Sequence, residues 1–198
     1  MFAKRFVPFV LLVLLLVGCG TSPAATPTTS ETQPTEPPPP SAETPLEWLR
    51  EIAFQPAPQS LPTITPSSLP DGFNANDVDE ANAETPSGFA MEVFEQSFER
   101  PIDNQVYVED SVTVYLYAYD ELEGRAEHLD IIAGQDYTWS FYELDGYTIA
   151  RYHETGVDGR VWISGPYLVV IYSGLDTSEV GPWVDTFASL YLAMFPPQ

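Results

Sequence analysis

Basic residues are scarce: seven Lys and Arg stand against 29 Asp and Glu in 198 residues, a formal charge of −22. A field of that sign repels phosphate backbones and anionic lipid headgroups, so nucleic acid is excluded as a natural partner. Cysteine occurs once, at Cys19, which rules out a disulfide within one molecule. Histidine occurs only at His128 and His153, with no HExxH and no pair at ligand spacing, so zinc chemistry has little to stand on. There is no glycine-rich phosphate loop, and Ser164 lies in Ile163-Ser164-Gly165, outside any G-x-S-x-G elbow. No residue is therefore assigned a catalytic or metal-binding role, and no cofactor is expected. A long apolar span is also lacking. The run from Phe6 to Val17, interrupted by Pro8, falls short of the roughly 20 residues that cross a bilayer.

That run carries the clearest positive signal. Lys4 and Arg5 precede it, giving the layout of a signal peptide, and Leu16, Val17, Gly18 and Cys19 close it as L-V-G-C. This resembles the bacterial lipobox. The resemblance implies removal of residues 1–18, a diacylglycerol group on the Cys19 thiol, and often a further fatty chain such as palmitate on the new amine. Two or three chains together give a stable anchor where one binds only marginally. Membrane lipid, held through acylated Cys19, is thus the first expected partner. The expected location is extracytoplasmic: the outer face of a cell membrane or, in a diderm host, the outer membrane, which Gly20 in place of a retention Asp favours.

Residues 19–85 read as a lipidated cysteine followed by a Pro/Thr/Ser-rich acidic stalk, with four consecutive prolines at Pro37 to Pro40. Its first part has too little apolar surface to offset the entropy of ordering. As a coil, residues 20–85 would span about 45 Å. One island breaks the pattern. Thr44, Pro45 and Glu47 form a capping-box signature, Leu46, Leu49 and Ile52 share a face beside Trp48, and Pro56 ends a possible short helix over 45–54. So short a helix is marginal alone. It docks on its own domain, binds a partner, or stays disordered. Residues 71–84 carry five carboxylates without the spacing of an EF-hand loop, so a solvated acidic linker is expected there.

Residues 86–198 are expected to fold. Ser111 to Asp120 alternates cleanly, with Val112, Val114, Leu116 and Ala118 on one face and Tyr115, Tyr117 and Tyr119 on the other. Glu121 to Ile132 has helical spacing. Tyr137 to Leu144 is a weaker strand, Asp145-Gly146 a turn signal, and Tyr147 to Tyr172 a hairpin whose second arm is broken or bulged at Gly165-Pro166. A last helix, from about Ser178 to Met194, repeats Val180, Trp183 or Val184, Phe187, Leu190 or Tyr191, and Met194 on one stripe and can be capped by Thr177 or Ser178. The expectation is an α+β fold: a small antiparallel sheet with a C-terminal helix packed on one face, preceded by a disordered stalk.

The possible binding surface comprises Trp48, the tyrosine row Tyr115, Tyr117 and Tyr119, and the scarce arginines Arg151 and Arg160. The two arginines form either internal ion pairs or a carboxylate-binding fork. The functional expectation is a non-enzymatic envelope lipoprotein whose domain binds an envelope protein or a small ligand. The alternatives are an envelope hydrolase using carboxylates and a weak calcium-binding module.

Overall fold

The structure, a computed structural model, describes residues 42–60, 62–107, 110–174, 181 and 183–198. The lipobox and Cys19, the proline run, and the candidate caps Thr177 and Ser178 lie outside the described residues.

Alternating side chains and tight turns build one sheet of eight strands: β1 (Asn74–Ala75), β2 (Asp79–Glu84), β3 (Ala90–Glu99), β4 (Ser111–Tyr119), β5 (Thr138–Leu144), β6 (Tyr147–Glu154), β7 (Val157–Ser164) and β8 (Tyr167–Gly174). The spatial order is β1-β3-β4-β8-β7-β6-β5, with β2 also pairing β3, and every pairing is antiparallel. Two-residue turns set the register of the β5 to β8 meander. Asp145 and Gly146 both have positive φ, 53° and 79°, as a type I′ hairpin turn requires. Gly165-Pro166 is likewise a turn between two strands, Ser164 pairing with Tyr167 across it.

Among the described residues three helices complete the fold: α1 (Pro45–Glu51), α2 (Leu122–Ala133) and α3 (Val184–Met194). The chain leaves β4 in the middle of the sheet and must reach β5 at its far edge, and α2 makes that crossing. On one face, fully buried Val112, Val114, Leu116 and Ala118 pack with Phe98 and Trp162 against Phe187 and Tyr191 of α3. The Trp162 indole N–H donates to the Phe195 carbonyl at 2.7 Å, which satisfies its one polar group inside that core. On the other face Leu129 of α2 and Leu49 of α1 meet Val161, Ile163 and Leu168.

The expected small sheet with a C-terminal helix on one face is therefore corrected, as is the expected stalk from residue 42 onward. The sheet is large, it has eight strands, and helices cover both of its faces. β1 and β2, together with buried Ile64 and Phe73, come from residues assigned to the stalk. The reason is local. β2 reads Asp-Glu-Ala-Asn-Ala-Glu and is almost wholly exposed, so its place on β3 rests on backbone hydrogen bonds, which leave no apolar periodicity to read.

α1 forms as its capping box dictates. Thr44 Oγ1 accepts from the Glu47 N–H at 3.3 Å, and a Glu47 carboxylate oxygen accepts from the Thr44 N–H at 3.2 Å. It docks on its own domain through buried Leu49, an Arg50–Asp130 ion pair at 2.5 Å, and Arg125 of α2, which donates to the Ile52 carbonyl at 2.6 Å. The expected extent of 45–54 is shortened to seven residues, because Ile52 already takes extended φ and ψ of −63° and 131°.

Candidate functional site

The alternation of β4 carries Tyr115 and Tyr117 onto the face crossed by α2, where Tyr172 of β8, Tyr152 of β6 and Tyr137 just before β5 join them. These five rings, with His128, Ile131 and Ile132 of α2 above and Val161 and Val170 below, line a cleft of about 230 Å³. The rings stand as an array. Tyr115 is nearly parallel to Tyr117 and to Tyr172, with centroids 5.5 and 6.1 Å apart, and Tyr137 stacks on Tyr152 at 4.8 Å.

One glycine makes the array possible. Tyr172, Gly159 and Tyr152 share a row across β8, β7 and β6, and the Tyr152 ring lies in the space that a Gly159 side chain would occupy. A Cβ there would overlap the ring of Tyr152. Gly159→Ala is accordingly expected to destabilise the fold by about 1 to 3 kcal/mol through overpacking. Chemical denaturation checks this, and an unchanged midpoint would show that Tyr152 swings away freely.

No carboxylate, lysine or arginine lines the cleft. Burial foremost, then Tyr172 and the Glu95 carboxylate, raises the Tyr115 hydroxyl well above the ordinary phenol range. The same causes push Tyr117 up to about 12, and burial likewise raises Tyr152. Burial also lowers His128 below its usual 6.5, and its Nδ1 lies 2.5 Å from the hydroxyl of Tyr119, itself fully buried. The Tyr117 ring meets the imidazole edge-on at 4.5 Å.

This sets a pH dependence. Between the lowered folded value and 6.5, the unfolded chain binds a proton at His128 that the folded chain refuses, so stability rises with pH across that window. The His128 contribution is complete above pH 6.5 and is lost as pH falls toward the folded value. Unfolding free energies measured at pH 7.5 and 5.0 should fall less on acidification in His128→Asn than in the native chain. Equal losses would contradict the assignment.

The other sequence-selected residues lie elsewhere. Trp48 packs edge-to-face on Phe141 at 6.0 Å, on the α1 side of the sheet. Arg160 is fully buried on the α3 face, where its Nη1 donates to Asp158 at 2.9 Å and its Nε to Asp185 of α3 at 2.8 Å. Burial opposes its charge, but Asp158 and Asp185 outweigh that effect, and its pKa is raised. Arg151 donates through Nε to the same Asp158 oxygen at 2.8 Å, and the Tyr142 hydroxyl donates to Asp185 at 2.7 Å. The arginines are thus held in an internal ion-pair network that fastens α3 to β6 and β7.

Sequence reasoning missed Tyr137, Tyr152, Tyr172 and His128 as neighbours of Tyr115 and Tyr117. Each strand's alternation gives a face within that strand, but only the strand order brings the faces together. A larger, open groove of about 430 Å³ runs along the β2–β3 edge and is lined in part by Glu84, Glu92 and Asp120. Among the described residues no group of three or more His, Cys, Asp or Glu side chains is arranged to hold a metal ion.

Fold and cleft together define a class: an antiparallel sheet covered by helices on both faces, with a tyrosine-walled cleft beneath one of them. Set against protein-family models, curated proteins and solved structures, the chain matches none.

Proposed function

We propose that the chain is a bacterial envelope lipoprotein, anchored through acylated Cys19 on an extracytoplasmic membrane face, whose folded region is a non-enzymatic binding module. The anchor rests on Lys4 and Arg5, the apolar run and Leu16-Val17-Gly18-Cys19. At most residues 20–41 then lie between the lipid and the first described residue. The strongly acidic chain is repelled by anionic headgroups, so an acyl anchor supplies the attachment that the surface charge opposes.

The observation that carries the binding reading is the cleft itself. Five phenol rings line it together with apolar side chains, and no carboxylate is among its lining residues. Aromatic walls with a few polar atoms suit recognition of a small molecule. The test is a fragment screen by NMR on isotopically labelled protein. Ligands of at least one chemical class should shift the resonances of Tyr117, His128 and Tyr152 together and be recovered chemically unchanged. Shifts scattered over the surface, or fragments converted to products, would overturn the reading.

A further inference from the structure

We propose that the tyrosine cleft binds a free organic cation with a methylated, quaternary ammonium head. The inference rests on the reading of the folded region as a binding module and names the ligand class of its cleft.

The first argument is the arginine inventory. Arg100 lies over Trp183 at 4.5 Å, Arg125 over Phe54 at 5.5 Å, and Arg160 over Tyr142 at 4.3 Å. The fold thus pairs its few cations with aromatic rings repeatedly. These arginine–ring pairs lie on Phe54, Phe73, Tyr142 and Trp183, outside the cleft. The cleft tyrosines instead stand against one another, and a cation reaching the cleft meets an aromatic wall. An aromatic face attracts a positive head within about 6 Å of its centroid, more strongly where water is displaced.

The second argument is charge. The chain carries −22 overall, so its field concentrates cations and repels anions. Glu95, paired with Tyr115 across β3 and β4, is engaged with its hydroxyl and adds negative charge beside it. His128, kept neutral by burial, does not oppose an incoming positive head.

The third argument is what kind of cation fits. A bare metal ion wants a cage of oxygen ligands, whereas this cleft mixes phenol rings with Ile131, Ile132, Val161 and Val170. Methyl groups on nitrogen pack against such a lining and spread the charge so that little hydration is lost on entry. The volume also suits the task. A cavity of about 150 Å³ holds a benzene molecule, so about 230 Å³ accommodates a trimethylammonium head with a short tail. A phosphate on that tail would meet the acidic field, which is why a free cation is assigned rather than a lipid headgroup.

The experiment is calorimetric titration of the detergent-extracted full chain with three probes: choline, its uncharged carbon isostere 3,3-dimethylbutan-1-ol, and phosphocholine. Choline should bind at least tenfold more tightly than either of the other two. Tyr117→Leu, which keeps apolar volume but removes a ring, should weaken choline at least tenfold, and Tyr117→Phe should keep most of the affinity. Equal binding of choline and the isostere would overturn the cation while leaving a binding module in place. Phosphocholine binding as tightly as choline would overturn the free ligand in favour of a headgroup. No choline binding at millimolar concentration would overturn the inference outright, and the fragment screen would then decide the wider reading separately. The probe comparison uses the native chain, so it holds even if a tyrosine variant fails to fold.

Discussion

Replacing Asp158 with alanine is expected to lower the unfolding free energy by about 3 to 5 kcal/mol, the usual cost of removing one partner from a buried ion pair. Asp158 and Arg160 are both fully buried, and the same Asp158 oxygen also accepts from Arg151. Without the carboxylate, the Arg160 guanidinium keeps Asp185 but loses half of its compensation in a site closed to water. The Gly181 N–H, 3.4 Å from the other Asp158 oxygen, loses its acceptor as well. Urea denaturation measures the effect. The control is a double-mutant cycle with Arg160→Met. Because the two groups share one network, the two losses should fail to add, by about 0.5 to 3 kcal/mol. A loss under about 1 kcal/mol for Asp158→Ala would mean that water reaches the site and that the network is not closed.

Leu49→Ala should cost about 2 to 5 kcal/mol, the range for a buried leucine truncated in a core that collapses only partly around the void. α1 has seven residues and no independent stability at that length. Its fully buried Leu49 is the main apolar tie to the face it shares with α2. If α1 is part of the cooperative fold, the loss appears in the global unfolding midpoint, monitored by a probe remote from the helix such as the Trp162 environment. If α1 instead behaved as a separate peptide for a partner, the midpoint would not move. Arg50 and the capping box are weaker handles, since their groups are exposed.

The capping box also shows what a sequence can disclose. Thr44, Pro45 and Glu47 specify a helix start by chemistry between near neighbours, and α1 begins there. The β4 alternation is equally local, and its apolar side is fully buried. Asp145-Gly146 announces a turn because positive φ is open to few residues, and the turn is present. By contrast, β2 lacks an apolar signal, and Gly165-Pro166 suggests a break or bulge within one strand although it joins two. The tyrosine face is ambiguous in the sequence, because a ring that packs like a hydrophobe while its hydroxyl stays wet suits a covering helix and a ligand platform alike. The cleft could not be assembled from the chain order because Tyr115 and Tyr172 sit 57 positions apart and meet only through β4–β8 pairing. Arg151 and Arg160 were legible as cross-hairpin neighbours, since they pair directly. Asp185, which joins their network from α3, depends on helix docking and had no local signature.

The proposed attachment through Cys19 would place the fold and its cleft in the compartment where the proposed ligand must be found, so the anchor is the point to test first. Protein should be extracted from membranes of the host with detergent and its intact mass determined. The expected mass is that of a chain beginning at Cys19 and carrying a diacylglyceryl group, with or without a third acyl chain. A mass that retains Met1 to Gly18 with Cys19 unmodified would contradict the lipoprotein assignment, and with it the extracytoplasmic setting of the cleft.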